Sequence, residues 1–165
     1  MKNIKIFSIL LLFSVILTGC SNSKSKNHTI VENIVLNKST YKDVEKTVNI
    51  QPEKYYDEKL GIYKLSGWYD VEYTINNIDG KLKFIFDNNS DKLICVHFDP
   101  NDYSKETGDS LKTYMLDRYN DYEQTIKDTG FVFSNGTENV ELYMTDDPLD
   151  STQYHGLYVE WNGAE

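Results

Sequence analysis

The chain is short of basic residues, short of cysteine and without a long hydrophobic run, and each shortage excludes a class of protein. Lys and Arg number 17 against 26 Asp and Glu, leaving a formal charge of −9 over 165 residues. Phosphate recognition needs a basic surface, so this balance excludes a nucleic-acid binder. It also excludes docking on anionic lipid through charge alone. Cys20 and Cys95 are the only cysteines, too few for a disulfide-dense scaffold, so the fold must rest on its core. The apolar run Ile6–Leu17 is interrupted by Ser8 and Ser14 and falls short of the roughly 20 residues a helix needs to cross a bilayer. Neither G-x-S-x-G nor H-E-x-x-H occurs, and no loop follows the D-x-[DN]-x-[DN]-G pattern of a calcium-binding EF-hand. Apolar residues at 39% and aromatics at 13% are nevertheless too abundant for a disordered acidic tail. The length suits one domain.

What is present begins with an address. Lys2 and Lys5 give a positive start, Ile6–Leu17 forms the apolar centre of a signal peptide, and Leu17-Thr18-Gly19-Cys20 follows, with polar Ser21-Asn22-Ser23 behind it. This order resembles the lipobox of bacterial lipoproteins: an aliphatic residue, a small residue, Gly or Ala, then Cys. The resemblance implies cleavage between Gly19 and Cys20 and a diacylglycerol on the Cys20 thiol. Gly19 and Thr18 are small enough for a peptidase to close around, and Cys20 supplies the nucleophilic sulfur. Removing residues 1–19 takes away Lys2 and Lys5 and no acid, which moves the formal charge to −11. Each buried methylene contributes roughly 0.8 kcal/mol, so two acyl chains anchor stably where one does not. Residues 20–29 read as a flexible tether, of which Ser21–Thr29 spans about 15–18 Å r.m.s. and carries a solvated His28. Residues 30–165 read as a single acidic domain at the outer, extracytoplasmic face of the cell membrane.

Within that domain the hydrophobic spacing predicts α+β. Ile30–Leu36 reads as a lead-in strand. Tyr41, Val44 and Val48 fall at helical spacing, with Thr40 and Asp43 as a capping pair and Gln51-Pro52 as the stop. Trp68–Ile75 alternates with period two, Asp79-Gly80 marks a turn, and Leu82, Phe84 and Phe86 alternate inward. A turn at 87–91 leads to a strand from Leu93 to Phe98, completing an antiparallel meander. Asp99–Asp109 reads as a polar connector. A helix is expected over Ser110–Asp128, with Leu111, Met115, Tyr119 (or Arg118), Tyr122 and Ile126 as its stripe, Asp109 or Ser110 as its cap and Gly130 beyond its end. Phe131–Phe133, Thr137–Thr145 and Gly156–Trp161 then read as strands, with Asn135-Gly136 as a turn. The expectation is a helix followed by a three-stranded meander, repeated once, with the helices packed on one sheet face.

The segment Asn37-Lys-Ser-Thr-Tyr-Lys-Asp-Val44 before the first meander, over roughly residues 34–98, resembles small envelope lipoproteins of the SmpA/OmlA type and the beta-lactamase-inhibitor-like fold. Domains of that kind bind other proteins, so the resemblance implies a protein partner. It transfers no binding residue.

Among the chemistry-bearing residues, Cys95 and His97 share a strand face at i and i+2, yet a packed, inert thiol beside a strand histidine is the stronger reading. His155 falls at a loop edge. Asp99-Pro-Asn-Asp102 and Asp146-Asp-Pro-Leu-Asp150 are oxygen-rich, which suits either a hard cation or the local hydrogen bonds of turns; the turn reading is favoured. Asn37, Asn88 and Asn135 of the N-x-S/T triplets read as turn residues. Thirteen tyrosines, Tyr55, Tyr56, Tyr63, Tyr69, Tyr73, Tyr103, Tyr114, Tyr119 and Tyr122 among them, suit either a core or a binding surface. The expected function is a lipid-anchored protein-binding or assembly module. Ligand or divalent-cation binding through the acidic loops stands second and hydrolysis third. No catalytic residue, metal ligand or cofactor is assigned.

Overall fold

In the computed structural model, the structure describes residues 31, 33–48, 54–57, 62–65, 71–87 and 89–163, the two short strands at 54–57 and 62–65 through their backbone. Among the described residues, two helices, α1 (Tyr41–Val48) and α2 (Lys105–Arg118), accompany nine strands. In chain order the strands are β1 (Lys54–Asp57), β2 (Ile62–Leu65), β3 (Val71–Ile75), β4 (Ile78–Asp87), β5 (Leu93–Pro100), β6 (Glu123–Lys127), β7 (Gly130–Ser134), β8 (Glu138–Asp146) and β9 (Tyr154–Gly163). They form one antiparallel sheet in the order β1-β2-β4-β5-β9-β8-β7-β6, with β3 also paired to β4.

The twofold helix–meander expectation therefore does not hold. One sheet runs through both halves of the chain, and the last strand, β9, is inserted between β5 and β8. The helices do not form a repeated layer over the sheet: α1 buries only Val44, and α2 stops at Arg118. Several boundaries move for identifiable reasons. Ser104, not Asp109 or Ser110, caps α2: its hydroxyl oxygen accepts from the Thr107 N–H at 3.2 Å. Tyr122 and Ile126 fit the helical spacing but do not lie on the helix. Tyr122 is buried beyond a turn, whereas Ile126 sits on β6 and is 77% exposed. Pairing with β7 has overridden the local period, aided by β-branched Thr125 and Ile126.

The turn of the β3–β4 hairpin is Asn76-Asn77, both left-handed (φ 49° and 65°), as a two-residue primed turn requires. Asp79 and Gly80 lie inside β4. Gly80 is needed there because a Cβ would meet the Phe98 ring and the Asp99 carbonyl. Ile30–Leu36 forms no strand over its described residues. Asn33 and Asn37 are left-handed, and the segment is fixed by buried Val31, Ile34 and Leu36 and by the Asn37 N–H donating to Leu93 O at 2.7 Å. The capping pair of α1 forms as expected, with Asp43 accepting from the Thr40 N–H and hydroxyl, both at 2.8 Å.

Alternation sets the core. Leu82, Phe84 and Phe86 of β4, Val96 and Phe98 of β5, Leu157, Val159 and Trp161 of β9, Val140 and Leu142 of β8 and Phe133 of β7 are buried together with Leu111, Met115 and Tyr119. Trp161 Nε1 donates to the Tyr119 hydroxyl at 2.6 Å, which ties the end of α2 to the central strand. Among the described residues, no helix is long and apolar enough to cross a membrane.

Candidate functional site

On the side of the sheet opposite this core, the register lines up four polar residues from four strands. Lys83 of β4 stands opposite His97 of β5, His97 opposite Glu160 of β9, and Glu160 opposite Glu141 of β8. One row along, Tyr158 of β9 is paired with Tyr143 of β8. The rings stack in series, with Tyr143 on Tyr158 and Tyr158 on His97, each pair with centroids 4.6 Å apart. Cross-strand aromatic pairs stabilise a sheet, and here they form a continuous stack of three partly exposed rings across three strands.

His97 is held from both ends. Its Nδ1 lies 3.1 Å from Glu160 Oε2 and its Nε2 lies 2.9 Å from Asp99 Oδ1. Both partners are carboxylates, which only accept when ionised, so both ring nitrogens are satisfied when the ring is the imidazolium. Burial opposes that charge, as does Lys83, but the hydrogen bonds that the ring donates to Asp99 and Glu160 outweigh them and raise the His97 pKa above 6.5. The same contacts hold the carboxylates low: Asp99 overcomes its own burial through His97 and Lys83, and Glu160 is lowered chiefly by His97. Burial, then Glu160 and Glu141, pushes the Tyr158 hydroxyl up to about 12, so it stays a neutral donor at physiological pH.

Cys95 shares this face and is buried, as expected of a packed thiol. It is not paired with His97, whose nitrogens face carboxylates; the thiol instead hydrogen-bonds Glu160. The acidic loops are occupied by local bonds. Asp102 Oδ2 accepts from the Ser104 and Thr107 hydroxyls at 2.6 Å each, Asp147 Oδ1 accepts from the Leu149 and Asp150 N–H groups, and Asp150 Oδ1 accepts from Thr152. Asp146 is ion-paired with Lys105. Among the described residues, no group of three or more His, Cys, Asp or Glu side chains is placed to hold a metal ion. His155 is exposed. Asn135 is a turn residue, its Oδ1 accepting from Thr137 and Glu138.

The tyrosines divide. Tyr119 and Tyr122 are core, and Tyr73, Tyr103 and Tyr114 are half-buried against it. Gly19, Cys20, His28, Asn88 and Tyr69 lie outside the described residues, as do the side chains of Tyr55, Tyr56 and Tyr63. The His97 cluster and the Tyr143–Tyr158 pair were not singled out in the sequence. Alternation alone points Tyr158, Glu160, Glu141 and Tyr143 outward, but which of them meets His97 depends on the β5–β9 register. No family model, curated protein or solved structure matches the chain.

Proposed function

We propose that the protein is an extracytoplasmic lipoprotein, anchored through lipid on Cys20, that binds a partner protein with the outer face of its sheet. The anchor reading rests on Leu17-Thr18-Gly19-Cys20 behind a short apolar run. The binding reading rests on one observation, the stacked Tyr143–Tyr158–His97 row flanked by Asp99, Glu160 and Glu141. Tyrosine supplies broad contact area at little cost in side-chain entropy and is enriched at interfaces. Here it lies on rigid strands with hydrogen-bond acceptors at its border. The acidic loops give the cation reading less support, since their carboxylates are engaged by neighbouring hydroxyl and N–H groups.

Cell fractionation tests the anchor. Wild type is recovered with the membrane and Cys20→Ala is released; equal membrane recovery of the two refutes lipid attachment. A photoreactive residue at position 143, activated in intact cells, tests the partner. The expected product is a discrete band whose mass is not a multiple of this chain, lost on Tyr158→Ala. Recovery of the monomer alone refutes the recognition surface.

A further inference from the structure

We propose that two copies of this chain pair through β6, edge to edge about a twofold axis at Thr125, extending one sheet across both copies. Among the described residues, β6 pairs on one side only, with β7, and all five of its residues are exposed. An edge strand offers unpaired N–H and C=O groups as a template for another strand. Which groups those are follows from the hairpin. Asp128-Thr129 is a two-residue turn closed by Lys127 and Gly130, so that closing pair exchanges its hydrogen bonds. Alternation then makes Thr125/Val132 and Glu123/Ser134 hydrogen-bonded pairs as well, and leaves Gln124 and Ile126 with N–H and C=O pointing away from β7.

Only one antiparallel self-pairing uses both outward residues of each copy. Gln124 must stand opposite Ile126 of the second copy, and Ile126 opposite Gln124 of the second copy. That register puts Thr125 against its own symmetry mate on the axis and each Glu123 against Lys127 of the other copy. The strand sequence Glu-Gln-Thr-Ile-Lys is therefore self-complementary in charge at both ends of the register that its hydrogen bonds select. Lys127 also approaches Glu141 of its own chain at 3.6 Å, so the second copy's Glu123 adds a carboxylate to an existing exposed pair. Pairing also covers part of Ile126, which among the described residues is one of two exposed large hydrophobic side chains. Five residues on each side make a small interface, so the association is weak and is best read by trapping.

The experiment uses the full chain in native membranes, with copper-phenanthroline as oxidant. Opposed residues of a non-hydrogen-bonded pair have Cα atoms about 4.5 Å apart, within disulfide range. Thr125→Cys should give a reducible band at twice the chain mass, several-fold above both wild type and Ser151→Cys, which places a thiol in an exposed loop. In the Thr125→Cys background, Glu123→Lys makes both ends of β6 positive and Lys127→Glu makes both negative. Each alone should lower the trapped dimer about tenfold, and co-expressing the two should restore it as the mixed species. Circular dichroism confirms that each variant is folded. Thr125→Cys trapping no better than Ser151→Cys, or trapping indifferent to the charge changes, overturns the proposal.

Discussion

His97→Phe isolates the ionic part of the outer-face cluster, because a phenyl ring preserves the stack on Tyr158 and removes both ring nitrogens. The variant loses two charge-assisted hydrogen bonds, each contributing about 1.5–3 kcal/mol net. Part of that loss is recovered because Asp99 keeps Lys83 and Glu160 keeps Asn162 at 2.8 Å, so the net cost at pH 6 is about 3 kcal/mol. The pH dependence carries a sign. Since the folded pKa of His97 is raised above 6.5, its contribution is complete below pH 6.5 and is lost as pH rises through the folded value. Within that window the native state holds one proton more than the unfolded state, so stability falls by about 1.4 kcal/mol per pH unit. Asp99 and Glu160 act in the opposite sense. Their folded values are lowered from 3.8 and 4.5, so their contribution is present above those values and is lost as pH falls through the lower folded ones. The contribution of this cluster is thus largest between about pH 4.5 and 6.5. Urea unfolding of both proteins from pH 5 to 9 checks this, with the variant subtracting every other titrating group. Parallel stability curves for wild type and His97→Phe above pH 6.5 would refute the reasoning.

Two further substitutions probe how the sheet is held. Tyr119→Phe removes the acceptor of the buried Trp161 Nε1 and a partner of Arg118. It should cost about 2–3 kcal/mol in urea unfolding at unchanged m; a cost below about 0.5 kcal/mol would mean the indole N–H finds another acceptor. Gly130 has φ +133°, and a Cβ there would fall on the Leu142 carbonyl. Gly130→Ala should therefore destabilise by about 3 kcal/mol or more, read as a lowered melting temperature, and an unchanged melting temperature would contradict this register of β7 on β8.

How much was readable in the sequence depended on the range of the interaction. The inward faces of β4 and β9 were legible because period-two alternation is a property of the strand alone: Leu82, Phe84, Phe86, Leu157, Val159 and Trp161 are all buried. The Thr40–Asp43 cap was legible because both partners lie within one helical turn. Reading failed where two local periods fit equally. Tyr122 and Ile126 extend the stripe of α2 on paper, yet a two-residue turn and a strand partner convert 123–127 into β6. Asp79-Gly80 resembles a turn, but Asn76-Asn77, three positions earlier, takes the left-handed angles.

Taken alone, the sequence determined the acidic character, the lipobox-like Leu17–Cys20 segment and which side chains alternate inward, because these follow from composition and from neighbours along the chain. Only the tertiary structure decided that the last strand lies between β5 and β8 and that Glu160 reaches His97 across 63 residues of sequence. A strand's pattern fixes the faces of its side chains and leaves its neighbours open. Those are chosen when the whole sheet closes over one core, and the histidine cluster and the free edge of β6 are both consequences of that choice.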